Sequence, residues 1–134
     1  MIVVDASAIV AILTREPEEA ALIAVLERAE SALASPIAIY EAALGLRRKR
    51  HSSVAEAEND VMEFLAAARI GVAAIEPTAA RGALEAFARY GKGTQHPAQL
   101  NMGDCFAYGQ AKALNAQLLF KGADFSMTDI EAAL

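Results

Sequence analysis

The segments NMGDCFAYG (residues 101–109) and LLFKGADF (residues 118–125) decide how the rest of the chain can be arranged. Asn101 is a preferred helix N-cap, so the first segment predicts a helix that carries Asp104 in its first turn. The apolar start of the second segment predicts a short buried strand. Asp104 is thus expected at a helix start and Asp124 just past a strand end, where polar chemistry collects in open α/β sheets.

A further acid follows a buried strand at the N-terminus. Residues Ile2-Val3-Val4 form a continuous apolar run, as expected of a strand that is buried on both faces. The run ends at Asp5. From the residues alone, Asp5 is either the N-cap of the next helix or a ligand at the carboxyl end of a central parallel strand.

Glu41 lies beside the apolar stripe of a helix that begins at Ser35-Pro36. A lone buried carboxylate is costly, so Glu41 needs a partner. The alternatives are a side chain that reaches solvent, a salt bridge to a nearby arginine, or a shared ligand site. Gly45, one turn further on, is expected to clear space beside Glu41, which favours the ligand interpretation.

Strands and helices alternate along the whole chain, which predicts a parallel sheet flanked by helices and a single domain over residues 1–134. Gly71 is expected to end a helix as its C-cap, and Gly109 predicts a close contact between elements. Further strands are expected at residues 32–34 and 72–75. The helix that starts at Pro77 is expected to turn inward Ala80, Ala83, Leu84 and Phe87.

The bulk composition narrows the functional classes. The chain has 134 residues and is 55% apolar, and it holds no apolar run near the roughly 18–20 residues that span a bilayer. The single cysteine, Cys105, excludes an intrachain disulfide and agrees with a reducing compartment. No export signal is recognisable, so a cytoplasmic location away from membranes is expected. The net charge of −5 argues against a nucleic-acid partner unless a cation neutralises the excess acids.

Several acids of the chain could form one cation-binding cluster if the fold brings them together. An oxygen-only set without a His or Cys pair selects a hard cation, Mg²⁺ or Mn²⁺ rather than Zn²⁺. A cation held in this way can activate a water and neutralise charge on a phosphate oxygen, which suits phosphodiester hydrolysis. The alternative to a shared cation site is that these acids are scattered over the surface and have no common function. The candidate acids are Asp5, Glu41, Asp104, Asp124 and Asp129.

The basic run Arg47–Arg50 has two interpretations. The first is a charged helix end that is stabilised by the helix dipole. The second is a patch that contacts phosphates. From the residues alone, the charged helix end is favoured over the phosphate-contacting patch.

Four stretches of the sequence together resemble the VapC toxins. They are the start Val-Val-Asp5-Ala-Ser7-Ala, the helix with Glu41, residues 101–108, and residues 118–125 with Thr128-Asp129-Ile130. These are the PIN-domain ribonucleases of type II toxin–antitoxin systems. The resemblance covers essentially the whole chain in the right order. Asn-x-Gly-Asp-Cys and Gly-x-Asp-Phe are specific as a pair, whereas the Asp5 motif alone is weak.

This resemblance implies a three-layer α/β/α PIN-like fold with a short, mostly parallel sheet. It also implies a Mg²⁺- or Mn²⁺-dependent endoribonuclease, a homodimer, and a VapB-type antitoxin that blocks the site. Ser7 matches a small hydroxyl that orients the first Asp or a ligand water, and Asp129 matches a less constant auxiliary acid. The acidic quartet that holds metal and carries catalysis would be Asp5, Glu41, Asp104 and Asp124.

Two rival functions remain open at this level. One is a receiver-like signalling module, although such a module needs paired acids after its first strand and a lone Asp after a mid-chain strand. The other is a catalytically inert PIN-like scaffold that only binds a partner. The intact acids argue against the scaffold, and an activity assay decides.

Overall fold

The computed structural model describes residues 1–134. Strands and helices alternate as predicted, and none of the helices combines the length and apolar character needed to cross a membrane. In chain order the elements are β1 (Ile2–Val4), α1 (Ala6–Leu13), α2 (Glu19–Arg28), β2 (Ala32–Ala34), α3 (Pro36–Arg50), α4 (Val54–Ala67), β3 (Ile70–Val72), α5 (Pro77–Tyr90), α6 (Met102–Ala113), β4 (Gln117–Leu119) and a 3₁₀ turn (Phe125–Met127).

The four strands form one sheet in the order β3-β2-β1-β4, and every neighbouring pair is parallel. Residue Ile2 of β1 pairs with Ala32 on one side and with Gln117 on the other. The chain therefore moves outward from β1 in both directions. Ligand crevices in open parallel sheets form at such a reversal, at the carboxyl ends of the strands.

Helices cover both faces of the sheet, which confirms the predicted three-layer α/β/α fold. Successive strand residues point to opposite faces. Ile2 and Val4 accordingly join an apolar cluster with α1 to α4, while Val3 joins a second cluster with α5 and α6. Both clusters are rich in alanine, so the helices lie close to the sheet.

The close contact predicted from Gly109 is confirmed where α5 crosses α6. A Cβ atom at Gly109 would lie 2.2 Å from the carbonyl oxygen of Ala79 and 2.6 Å from the amide nitrogen of Ala83. A Cβ atom at Gly82 would lie 2.9 Å from the Cα of Gly109. The two backbones touch at these glycines, and no larger residue fits without moving a helix.

That contact also explains why one prediction for α5 was wrong. Leu84 and Phe87 point outward, with 72% and 50% of their surface exposed. Only small residues and one tyrosine fit between the closely packed helices, so the bulky side chains take the opposite face. The buried residues of α5 are Ala79, Gly82, Ala83, Ala86 and Tyr90.

The third strand begins earlier than predicted, at Ile70 instead of Val72. Gly71 lies inside β3 and is not the C-cap of α4, which ends at Ala67 with Ala68 as cap. Arg69 takes the left-handed conformation at φ 57°, a position where glycine was expected. Burial of Ile70 in the core compensates for this strained turn and starts the strand directly after it.

Candidate active site

A cleft opens where β1 and β4 lie side by side at the carboxyl edge of the sheet. The amide of Asp5, directly after β1, donates to the carbonyl oxygen of Leu119 at 2.9 Å and fixes the two strand ends together. The cleft has a volume of about 490 Å³, within the range of ligand pockets. Acidic and basic side chains line it together: Asp5, Glu16, Glu41, Asp104, Arg48, Lys49 and Lys121. The other lining residues are Ser7, Ala6, Val10 and Gly45.

Asp5 is the most deeply placed of the acids, with 4% of its surface exposed. Its Oδ2 accepts hydrogen bonds from the Ser7 amide at 3.1 Å and from the Ser7 hydroxyl at 2.5 Å. Burial raises the pKa of Asp5, and the bonds from Ser7 oppose that rise. Asp5 is therefore the N-cap of α1 and also lines the cleft, while its role as a ligand stays a prediction.

Ser7 connects two strand ends through its hydroxyl group. Its Oγ donates to Asp5 and accepts from the backbone amide of Lys121 at 3.0 Å. The loop after β4 thus helps to orient the carboxylate after β1. This arrangement agrees with the orienting role that the family resemblance implied for Ser7.

Glu41 comes from α3 and reaches the first turn of α6. A Cβ atom at Gly103 would lie 2.0 Å from Glu41 Oε2, so the missing side chain of Gly103 is what admits the carboxylate. Sequence reasoning had assigned this role to Gly45, but the space at Gly45 is taken by Val10, whose Cγ2 would be 3.1 Å from an added Cβ. Only the packing of α3 against α6 reveals the correct glycine.

Burial, followed by the charges of Asp5 and Asp104, raises the pKa of Glu41 to about 7. The three carboxyl groups line one cleft, which is why their charges affect one another. A carboxyl with this pKa holds a proton well into the neutral range when no cation is bound.

Asp104 lies in the first turn of α6, where the predicted cap is a reciprocal capping box. The Asp104 amide donates to Asn101 Oδ1 at 2.8 Å, and the Asn101 amide donates to Asp104 Oδ2 at 3.1 Å. Burial raises the pKa of Asp104, the bond with Asn101 lowers it and the charges of Asp5 and Asp124 raise it, with a net value of about 6. One oxygen of Asp104 remains available to the cleft.

Asp124 is exposed and immediately precedes the 3₁₀ turn. It does not line the cleft, but its charge helps to raise the pKa of Asp104. Asp124 therefore lies near Asp104 but outside the lining of the cleft.

Asp129 lies elsewhere, against α5 and α6. Its Oδ1 accepts from the hydroxyls of Tyr108 at 2.7 Å and Tyr90 at 3.1 Å, and its Oδ2 pairs with Lys112 at 3.3 Å and Arg89 at 3.5 Å. These bonds, that of Tyr108 first, lower the pKa of Asp129 to about 2. The structure does not bring Asp129 to the cleft, and its contacts fasten the C-terminal segment to the helices.

Sequence reasoning missed several cleft residues, namely Gly103, Glu16 and Lys121. Glu16 reads as a solvated helix start, yet α2 begins only at Glu19 and the Glu16 side chain is 19% exposed. It accepts from Lys49 and, at 3.1 Å, from Lys121. The position of Lys121 directly after an apolar strand was the available signal.

The donor set suits a hard cation by its chemistry. Asp5, Glu41 and Asp104 offer only carboxylate oxygens. Burial is the main cause of their raised pKa values, and the charges of neighbouring acids add to it for Glu41 and Asp104. In the present side-chain conformations no three acidic, His or Cys side chains surround one point at ligand distance. Side-chain rotation is therefore required for a complete coordination shell, since Asp104 Oδ2 faces Asn101 and Glu41 rests against Gly103.

The first prediction concerns the pH dependence of stability without divalent cations. A carboxyl whose folded-state pKa is raised contributes stability below its unfolded pKa and loses it as pH rises through the folded pKa. For Glu41 the window runs from 4.5 to about 7, and for Asp104 from 3.8 to about 6. The free energy of unfolding in EDTA should thus fall from pH 5 to pH 8 by about 2 kcal/mol after discounting for solvent screening.

Urea unfolding at the two pH values measures this difference. The Glu41→Gln variant is the control, because it lacks the group with the larger shift and should show a clearly smaller difference. A wild type that is more stable at pH 8 than at pH 5 would contradict the charge arrangement described for the cleft.

Comparison with known proteins gives a consistent picture. The family model for the PIN domain matches residues 2–131. A VapC ribonuclease of Rhizobium meliloti strain 1021 is 41% identical over 138 residues, covering 95% of this chain and 97% of that protein. Ribonuclease VapC42 of Mycobacterium tuberculosis strain H37Rv is 39% identical over 132 residues, covering 98% of both.

Solved structures share the fold at lower identity. The crystal structure of Mycobacterium tuberculosis VapC20, a sarcin-ricin loop cleaving toxin, superposes with a TM-score of 0.74 at 14% identity over 97% of this chain and 96% of that one. A toxin–antitoxin complex from Klebsiella pneumoniae gives a TM-score of 0.68 at 16% identity over 94% and 91%. These two similarities concern the fold alone.

Proposed function

The chain belongs to the PIN-domain family, among the VapC ribonucleases, and on this premise we propose that it is a metal-dependent endoribonuclease. It would act as the toxin of a type II toxin–antitoxin system, with residues 1–134 as one PIN-like domain. The observation that carries the proposal is the meeting of Asp5, Glu41 and Asp104, from three separate elements, in one cleft at the sheet reversal.

Asp5, Glu41, Asp104 and Asp124 would hold Mg²⁺ or Mn²⁺, their oxygens being of the type these ions prefer. The bound cation would lower the pKa of a water and neutralise charge on the phosphate. Asp5 is kept in place by Ser7 and the Lys121 amide, which limits the reorganisation needed on binding.

Glu41 would complete the ligand set or orient the attacking water, because it reaches the cleft from α3 beside Gly103 of α6. A carboxylate positioned in this way can accept the proton of that water. The water oxygen forms the new bond to phosphorus, the bond to the sugar oxygen breaks, and that oxygen takes a proton from solvent. Phosphodiester hydrolysis is balanced in this way without a further reactant.

Positive surface beside the acids is needed to attract a polyanion. Within the run Arg47–Arg50, Arg48 and Lys49 line the cleft. Arg50 instead binds the Leu13 carbonyl oxygen and pairs with Asp60 at 3.0 Å. The patch interpretation of this run is thus supported for its middle residues, while Arg50 serves as a structural helix end.

The proposed partners are a VapB-type antitoxin and a second copy of the chain. An antitoxin arginine, with its planar fork of donors, would fit the carboxylates that otherwise hold the cation. The second copy would cover the outward face of α5 and the start of α6. This face holds an apolar groove of about 410 Å³. The groove is lined by Ala80, Ala83, Leu84, Phe87, Met102, Cys105 and Phe106.

Family membership argues against the receiver-like alternative. The inert-scaffold alternative is tested by activity. Purified protein should cleave single-stranded RNA with Mg²⁺ or Mn²⁺ and lose that activity in EDTA. Expression of the chain alone should arrest growth, and co-expression of its cognate antitoxin should restore it. A folded protein that cleaves no RNA with either ion would contradict the proposal.

A further inference from the structure

Two lysines from distant parts of the chain meet at one glutamate beside the carboxylates. Lys49 lies near the end of α3, and Lys121 directly follows β4. Glu16, in the turn between α1 and α2, binds Lys49 through Oε1 and Lys121 through Oε2, the latter at 3.1 Å. All three side chains line the same cleft as Asp5, Glu41 and Asp104.

This arrangement leaves one positive charge. The two ammonium groups carry two positive charges and Glu16 removes one of them, while the hydrogen bonds from the lysines lower the pKa of Glu16 and keep it ionised. Each ammonium has three donors and spends one on Glu16. The pair can therefore still donate to the oxygens of one singly charged phosphodiester.

The ion pairs of Glu16 with Lys49 and Lys121 are not explained by their contribution to folding stability. The lysine side chains are 46% and 35% exposed, and exposed ion pairs contribute little to the free energy of folding. The position of the pair is informative instead, because it lines the same cleft as acids that would repel an RNA strand. A phosphate held there offsets that repulsion.

We propose that Lys49 and Lys121, held together by Glu16, bind one phosphodiester of the RNA strand next to the bond on which the carboxylates act. This inference rests on the proposed ribonuclease function. Glu16 is a positioning residue in this scheme. It touches no substrate, but it fixes the two ammonium groups at one point and so sets the register of the strand.

The test measures binding separately from cleavage. The Asp104→Asn protein is titrated without divalent cations against a fluorescent single-stranded RNA at several salt concentrations. Each phosphate contact that is lost should make the slope of log Kd against log salt shallower by about 0.7. Because the pair binds one phosphodiester, Lys49→Gln and Lys121→Gln should each produce at most this change, and the double variant should produce it in full.

Matched variants separate charge from shape. Lys121→Arg keeps the charge and should keep the slope, whereas Arg81→Gln removes an exposed charge on α5, outside the cleft, and should leave the slope unchanged. In the protein with an intact quartet, Glu16→Gln should lower kcat by roughly ten- to a hundredfold through misplaced register without weakening RNA binding. A merely structural Glu16 would change the melting temperature and leave kcat unaltered.

The outcomes are distinguishable. If the Asp104→Asn protein binds no RNA at any salt concentration, the ribonuclease proposal and this inference both fail. If it binds RNA and the slope of log Kd against log salt is the same with and without both lysines, only the inference fails. If the double lysine variant weakens the complex with the antitoxin and leaves the RNA slope unchanged, the pair serves the protein partner and the inference is wrong.

Discussion

Replacing Asp104 by asparagine should reduce RNA cleavage by a factor of about 10²–10⁴, because one charged oxygen ligand of the cation disappears from the cleft. Asparagine keeps an oxygen that can accept from the Asn101 amide, so the capping box that starts α6 is preserved. The loss should therefore lie in kcat, measured with single-stranded RNA and saturating Mg²⁺ or Mn²⁺.

The same variant makes a prediction about stability. Without divalent cations at neutral pH, it should be at least as stable as the wild type, since one of the mutually repelling acids is gone. Millimolar Mg²⁺ or Mn²⁺ should raise the melting temperature of the wild type and have much less effect on the variant. Calorimetry with and without the ion measures both effects.

Asp60→Asn is the matched control, because Asp60 is partly exposed on α4 and pairs only with Arg50. It should retain the cleavage rate and the response to the cation. A folded Asp104→Asn protein that still arrests growth and cleaves RNA at the wild-type rate would rule out the proposed chemistry, because no other acidic cluster lies in the cleft.

Replacing Gly103 by alanine should lower kcat by roughly ten- to a hundredfold while leaving the fold intact. The new methyl group would lie 2.0 to 2.2 Å from the three carboxyl atoms of Glu41, so this side chain must move away from its place between Asp5 and Asp104. The movement is cheap for the fold because Glu41 is long and flexible. Alanine also favours the helical conformation over glycine by up to about 1 kcal/mol.

Gly45→Ala provides the matched comparison in the same cleft. Its methyl group would meet only Val10, at 3.1 Å, and would not displace Glu41. The Gly45 variant should therefore keep most of the cleavage rate, and both variants should have melting temperatures near that of the wild type. If Gly45→Ala is inactive and Gly103→Ala is fully active, the assignment of space around Glu41 is wrong.

The elements of this protein were predictable wherever local interactions decide them. The apolar run before Asp5 gave β1, and Ser35-Pro36 gave the start of α3. Asn101 gave the cap of α6, whose capping box involves neighbours only three residues apart. Gly109 correctly predicted a close contact, because a glycine inside a helix has few other uses. The family resemblance then predicted the four acids of the quartet in sequence order.

Tertiary structure decided how those residues meet. Five acids were candidates in the sequence, yet strand order and helix packing bring three of them into the cleft, leave Asp124 outside its lining and bind Asp129 to Tyr90 and Tyr108. Likewise Gly103, and not the nearer Gly45, makes room for Glu41. Capping and periodicity act over a few residues and can be read from the sequence. Convergence of Glu16, Lys49 and Lys121 depends on contacts between distant segments, and those exist only once β1 lies between β2 and β4.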